Sequence, residues 1–188
     1  MYAMAISSEE AAKTLAEAVE AERRSARLRF YHRSSPHLIM WGTIWLIGFG
    51  VCALLPKYGD MVWNFLVPLG IVGGVAISSR LPREAGKGFR AWRMGALGVL
   101  IFFFVSATYF IMQPHMSRQF VAYPALITGC AYVAVGLWAG PRYVISGIAV
   151  AALTLYGFVT FSTDMYFLWM AVVGGGSMIL AGFWFRTV

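Results

Sequence analysis

Few side chains in this sequence could do chemistry, and they are widely spaced. The 188-residue chain has three histidines and two cysteines, which are His32, His37, His115, Cys52 and Cys130. None of the spacings typical of zinc ligands, catalytic nucleophiles or phosphate-binding glycine loops is present, and neither is a catalytic pair of carboxylates. The sequence therefore predicts a protein that is not an enzyme and uses no cofactor.

Soft metal ligands gather in one connector, where Met112, His115 and Met116 lie close together in the sequence. Thioether and imidazole groups are ligands that Cu(I) accepts. Methionine is also a common gap-filling residue in apolar segments. We predict no metal site, and copper binding at these three residues stays open as the alternative.

The elements that must position these residues are apolar runs long enough to cross a bilayer. Hydrophobic residues make up 60% of the chain and charged residues 12%, against about half and about a quarter in soluble domains. The uncharged runs are residues 38–55, 61–79, 94–112, 120–137, 144–161 and 165–185, each close to the length that a spanning helix needs. We predict an all-α, polytopic membrane protein in which six transmembrane helices occupy residues 37–188 and one cytoplasmic helix precedes them in residues 1–36.

Short connectors and the charge distribution predict the topology. Connectors at residues 56–60, 114–118 and 162–164 are brief, which predicts three antiparallel hairpins at about 38–79, 94–137 and 144–185. All basic residues except Lys57 and Arg118 fall on the same side as the N-terminus. By the positive-inside rule both termini face the cytoplasm. We expect a multi-pass protein of the bacterial inner membrane, since no targeting segment is recognised.

The membrane segments carry no Asp, Glu, Lys, Arg or His near their centres. Such residues mark proton relays and voltage sensors, so these two classes are not favoured. Polar side chains that could instead line a path for a neutral molecule are Asn64, Ser106, Thr108, Thr128, Tyr132, Thr154, Tyr156 and Ser177. A channel or carrier for a neutral or lipid-like solute is therefore the alternative function.

Small residues are spaced for close approach of helices. Helices in lipid associate through such positions, because hydrophobic exclusion does not drive them together. The predicted packing glycines are Gly70, Gly74, Gly147, Gly174 and Gly175. The Gly174 to Gly176 triplet could alternatively act as a hinge.

Parts of the three hairpins also look alike. Asp60-Met61 recurs as Asp164-Met165, and the spacing of Pro68 and Gly73 recurs in the fourth segment at residues 124 and 129. These features suggest an internal repeat of one hairpin.

The N-terminal helix is predicted to run from a capping box at Ser7–Glu10 to about Arg33. Leu15, Val19, Ala26 and Phe30 form a thin apolar stripe on it. That stripe predicts docking of a protein partner or of a second copy of the chain.

Two basic clusters lie beside the predicted cytoplasmic surface, where such clusters bind anionic lipid headgroups. Their members are Arg23, Arg24, Arg27, Arg29 and Arg33, followed by Arg83, Lys87 and Arg90. The interpretation that we prefer is that they only enforce the topology, and headgroup binding is the alternative. A nucleic-acid partner is excluded, because these segments offer too little exposed surface.

The architecture from about His37 onward resembles the small bacterial acid-stress membrane proteins of the HdeD type, through its number of hairpins. The resemblance implies a six-helix membrane fold and a stress-related role. From the lack of charge inside the membrane segments and the long, partly amphipathic N-terminal helix, we expect a non-catalytic accessory, scaffold or stress-related subunit whose cytoplasmic helix docks a partner.

Overall fold

The computed structural model describes residues 8–80, 88–113 and 117–187, without the side chains of residues 88–95 and 97. Every regular element in these ranges is helical, which confirms the predicted all-α class. The long helices are α1 (Ser8–Leu54), α2 (Gly59–Arg80), α3 (Gly88–Met112), α4 (Ser117–Ala139), α5 (Pro141–Thr160) and α6 (Thr163–Trp184). A short 3₁₀ turn, Pro56–Tyr58, joins α1 to α2, and α6 contains a π-helical stretch at Met170–Gly175.

Five of these helices, all except α3, are long and apolar enough to cross a membrane. The described apolar part of α3, Gly98–Met112, is shorter. The fold is thus consistent with the predicted multi-pass membrane protein.

The helix α1 continues where the sequence predicted two separate helices. It spans 47 residues without a break, which at 1.5 Å per residue is about 70 Å. Pro36 lies inside it. Ser35 and Leu38, on either side of that proline, are buried, and packing against neighbouring helices compensates the backbone hydrogen bond that a proline removes. The predicted end near Arg33 is therefore not a helix boundary.

The closest helix pairs are α4 with α5, and α1 with both α6 and α2. Over the described residues α1 and α2 pack closely along the length of α2, whereas α3 meets α4 chiefly near the turn that joins them. There the hydroxyl of Tyr123 donates to Thr108 Oγ1 at 3.0 Å, and the Tyr109 and Phe120 rings lie 5.0 Å apart. The two helices that the repeat hypothesis makes equivalent, α2 and α4, pack on different neighbours, so the described residues show no common hairpin.

The axis of the bundle is filled by large side chains. Trp45 and Phe49 of α1 pack edge to face at 5.5 Å, and Tyr166, Met170 and Met178 of α6 are almost completely buried. The interior is therefore an apolar core with α1 and α6 at its centre.

Candidate functional site at the base of the arm

The first part of α1 projects from the bundle as an exposed helix. Residues 8–27 are all exposed, and we call residues 8–29 the arm. Glu9 and Glu10 lie in its first turn, where negative charge favours the N-terminal end of a helix dipole. The arm is thus a long polar helix with one end held by the bundle.

Three aromatic rings anchor the base of the arm. Tyr31 of α1 and Tyr143 of α5 lie 5.0 Å and 4.8 Å from the ring of Phe185, and all three side chains are buried. Aromatic pairs at this spacing contribute about 0.5–1.5 kcal/mol each beyond burial of their area. Phe185 follows the last residue of α6, so the cluster joins α1 to the start of α5 and the end of α6.

Arg142 lies across the same junction. Its guanidinium carbon is 5.6 Å from the Tyr31 ring centre and 4.8 Å from the Trp184 ring centre, distances at which a cation is attracted to an aromatic face. One of its Nη atoms donates a hydrogen bond to the carbonyl oxygen of Trp184, and its backbone N–H donates to the Tyr31 hydroxyl at 3.4 Å. The side chain therefore bridges α5 and α6 while it covers α1.

A second arginine holds α1 against α6. The fully buried Ser35 donates its hydroxyl hydrogen to the Gly182 carbonyl oxygen at 2.7 Å and accepts a hydrogen bond from Arg186 Nε at 2.8 Å. Because the hydroxyl both donates and accepts a hydrogen bond, burying it costs little free energy.

The turn between α4 and α5 is shaped to receive the arm. Gly140 has a φ of 122°, a conformation that favours glycine. A Cβ atom there would also collide with the Tyr31 hydroxyl and lie 2.7 Å from Arg27 Cδ. Only glycine lets α1 pass this close to the turn.

The predicted docking stripe is divided between the free arm and its base. Leu15, Val19 and Ala26 are exposed, with 66% of Leu15 and 41% of Val19 accessible. Phe30 is half-buried, and its ring lies 5.4 Å from that of Tyr143. Phe30 thus already packs against the bundle, whereas Leu15, Val19 and Ala26 remain accessible to a partner.

The predicted headgroup residues of the first cluster lie along α1. Arg23, Arg24, Arg27 and Arg29 are exposed and Arg33 is half-buried. Arg83 and Lys87 lie outside the described residues, as does the side chain of Arg90 in α3. The first cluster therefore runs from the arm into its base.

Three of the five predicted packing glycines lie at close helix contacts. A Cβ atom on Gly70 would lie 2.7 Å from the Trp41 ring, and one on Gly147 would lie 2.7 Å from the Val133 backbone nitrogen. A Cβ on Gly175 would lie 2.7 Å from the Gly42 carbonyl oxygen. At Gly74 and Gly174 the nearest atoms are 3.8 and 3.5 Å away, so a methyl group fits at both.

The candidates for metal binding do not converge, and neither do most of the candidates for solute binding. Met112 is exposed, and His115 and Met116 lie outside the described residues. The part of the chain that the structure describes holds no cluster of three or more His, Cys, Asp or Glu side chains suited to a metal. Asn64 and Ser106 are exposed, whereas Thr154 is buried.

Other polar side chains are engaged within the bundle. Thr128 and Ser177 donate their hydroxyl hydrogens to carbonyl oxygens of their own helices. His37 lies between α1 and α2, with its Nε2 atom 3.0 Å from Ser78 Oγ and 3.2 Å from the Gly74 carbonyl oxygen. His37 therefore ties α1 to α2, whereas Thr128 and Ser177 bond within their own helices. Of the predicted path-lining residues, Tyr132 and Ser177 line one groove beside α5 and α6.

The cluster at the base of the arm was not predicted from the sequence. Arg142 and Arg186 served there only as topology signals, and no role was assigned to Tyr31, Ser35 or Phe185. A usable signal was present, because each of these arginines follows or precedes an aromatic residue at the end of a membrane segment.

Comparison with known proteins adds no assignment, since no family model, curated protein or solved structure matches this chain.

Proposed function

We propose that this chain is a non-catalytic accessory or scaffold subunit that presents a rigid helix to a protein partner. In this proposal six helices span the bacterial inner membrane as three consecutive hairpins, and both termini are cytoplasmic. The arm then projects into the cytoplasm. A stress-related role is the biological setting that the hairpin architecture suggests.

The observation that carries the proposal is the continuity of α1 from an exposed arm into the core of the bundle. One face of its second half packs against α2 and α6, with Ile44, Trp45 and Phe49 buried. Its base is held by Tyr31, Ser35 and two arginines. A helix held in this way keeps its direction, so a partner bound to it is fixed relative to the membrane. Preorganisation of this kind lowers the entropic cost of binding.

The exposed face of the arm suggests where the partner binds. Leu15 and Val19 lie four residues apart on one side, as in helices that dock an apolar stripe into a groove. Glu17 and Arg24 lie on the opposite side at helical spacing. The partner should therefore contact the first pair and not the second.

Site-specific crosslinking in native membranes tests this contact. A photoreactive amino acid placed at position 15 or 19 should capture one defined polypeptide, and the same group at position 17 or 24 should not. Deletion of the residues before Arg29 should remove the association and leave the bundle folded, because the base begins at Phe30. Association that survives the deletion would refute the proposal.

The stoichiometry of the captured complex separates a different subunit from a second copy of this chain. Native mass spectrometry of the complex, gently extracted from its own membrane, measures it directly. A monomer without any bound polypeptide would contradict the docking function.

The second candidate, a small channel or carrier for a neutral or lipid-like solute, is favoured by one observation. A groove of about 330 Å³ lies between α5 and α6, with Leu38 of α1 and Tyr132 of α4 also in its lining, which is mainly apolar. That lining suits a lipid-like solute better than a polar one. Flux of such a solute into proteoliposomes, above that into protein-free vesicles, would support this candidate.

A further inference from the structure

We propose that the groove between α5 and α6 binds one acyl chain of an anionic phospholipid, whose phosphate lies beside Arg142 and Arg186. The site does not depend on the docking function of the arm. It is distinct from the arginines of the arm, which are not part of the groove.

The walls of the groove are built mainly by α5 and α6. Ile145 and Ala149 line it from α5, and Ala181 and Trp184 line it from α6. Leu38 of α1, which is buried, closes its base. The volume of about 330 Å³ lies at the small end of the range of about 300–1,000 Å³ found for ligand pockets, so it suits a chain segment and not a whole lipid.

The chemistry of the lining selects hydrocarbon. Ile145 and Leu180 stand at the open side with 53% and 71% of their surface exposed. The nearby polar group of Ser177 is already engaged, since its hydroxyl donates to the Gly174 carbonyl oxygen at 2.9 Å. Ser146 of α5 and Tyr132 of α4 also line the groove, but most of its lining is apolar. A hydrocarbon chain therefore matches it better than a polar ligand does.

The charge at the end of the groove selects an anion. Trp184 lines the groove, and the Arg142 guanidinium carbon lies 4.8 Å from its ring centre. Arg186 follows two residues after Trp184 and is exposed. Among the described carboxylates, none pairs with either arginine. Arginine has five N–H donors, and those of Arg142 that do not bond the Trp184 carbonyl oxygen are available to a phosphate.

A ligand that satisfies both requirements has a hydrocarbon chain joined to an anionic headgroup. An anionic phospholipid has this structure and is abundant around any membrane protein of this kind. Basic residues near a membrane surface contribute about 1 kcal/mol each toward anionic lipid, which corresponds to about a fivefold change in affinity per arginine.

The test measures lipid binding to the delipidated full-length protein. Native mass spectrometry counts the bound lipids during titration with phosphatidylglycerol or with phosphatidylcholine. The wild-type chain should retain one phosphatidylglycerol per chain at a lipid concentration at least fivefold lower than phosphatidylcholine requires. Arg142→Gln should lower that preference about fivefold, and Arg186→Gln should lower it in the same direction. Arg80→Gln, at the end of α2 and away from the groove, should leave it unchanged.

A second pair of variants tests the acyl-chain site without touching a charge. Ala149→Phe fills the groove and should reduce retention of the bound lipid at least fivefold. Ala152→Phe adds the same ring on an exposed position of α5 and should not. Thermal unfolding of each variant identifies those that fail to fold. If the arginine variants are unstable, the comparison of Ala149→Phe with Ala152→Phe still tests the proposal.

Phosphatidylglycerol with a photoreactive group in its acyl chain then maps the site. Crosslinks should concentrate on the peptides that contain residues 145–149 and 177–184, and excess glycerol phosphate should not compete. Equal retention of the two lipids, equal effects of the two phenylalanine variants, crosslinks spread evenly over all helices, or a protein segment occupying the groove would each overturn the proposal.

Discussion

Gly42 of α1 and Gly175 of α6 approach each other so closely that neither can carry a methyl group. A Cβ atom on Gly42 would lie 2.8 Å from the Gly175 carbonyl oxygen, and one on Gly175 would lie 2.7 Å from the Gly42 carbonyl oxygen. The two backbones are thus in direct contact at the centre of the bundle. Small residues allow such contacts between helices in an apolar environment.

Gly175→Ala should destabilise the bundle by about 1–3 kcal/mol, since overpacking a close contact shifts backbone atoms. The neighbouring Gly174→Ala is the matched control. Its new Cβ would have no atom nearer than 3.5 Å, and alanine is the better helix former by up to about 1 kcal/mol. Unfolding of both variants in the same detergent, monitored by circular dichroism, should show that Gly174→Ala is more stable than Gly175→Ala. Equal stabilities would contradict the close contact between Gly42 and Gly175.

Alanine substitutions at the other predicted packing glycines should also differ in how much they destabilise the bundle. Gly147→Ala meets backbone atoms of α4 and should be the most destabilising, whereas Gly70→Ala meets the ends of the Trp41 and Ile44 side chains, which can shift. Gly74→Ala should be close to neutral. Melting temperatures of the three variants test this order, and a destabilised Gly74→Ala would show that α2 packs more tightly on α1 than the structure indicates.

Ser35→Ala should loosen the base of the arm. It removes the donor to the Gly182 carbonyl oxygen and the acceptor for Arg186, at a cost of about 1–3 kcal/mol because buried groups lose their partners. Hydrogen exchange should become faster in peptides from the α1 base and from the end of α6. Thr43→Ala is the control, because the Thr43 hydroxyl is exposed and bonds only the Ile39 carbonyl oxygen of its own helix.

Spin labels at Ala18 and Thr43 test whether α1 is one helix. Both positions are exposed, and a continuous helix places them about 38 Å apart along its axis. Double electron–electron resonance, on a chain whose native Cys52 and Cys130 have been replaced, should give one narrow distance distribution between the two labels. A broad distribution at shorter distances would mean that the chain bends near Pro36.

Local sequence patterns predicted the helical class and the apolar segments well. The predicted ends at Met112 and near Phe161 agree with the ends of α3 and α5, because helix length depends on composition and on nearby Pro and Gly residues. The predicted break near Arg33 was wrong for a tertiary reason. Ser35 and Leu38 pack into the bundle and keep α1 helical through Pro36.

The sequence by itself determined that the chain is helical, that several helices suit a membrane, and that Gly70, Gly147 and Gly175 suit close packing. Only the tertiary structure decided which helices pair and which residues form the base of the arm. When most faces of a helix are apolar, the hydrophobic pattern does not select a partner. That choice depends on where backbones can meet, as at Gly42 and Gly175, and on long-range contacts such as those of Tyr31 with Phe185 and Arg142.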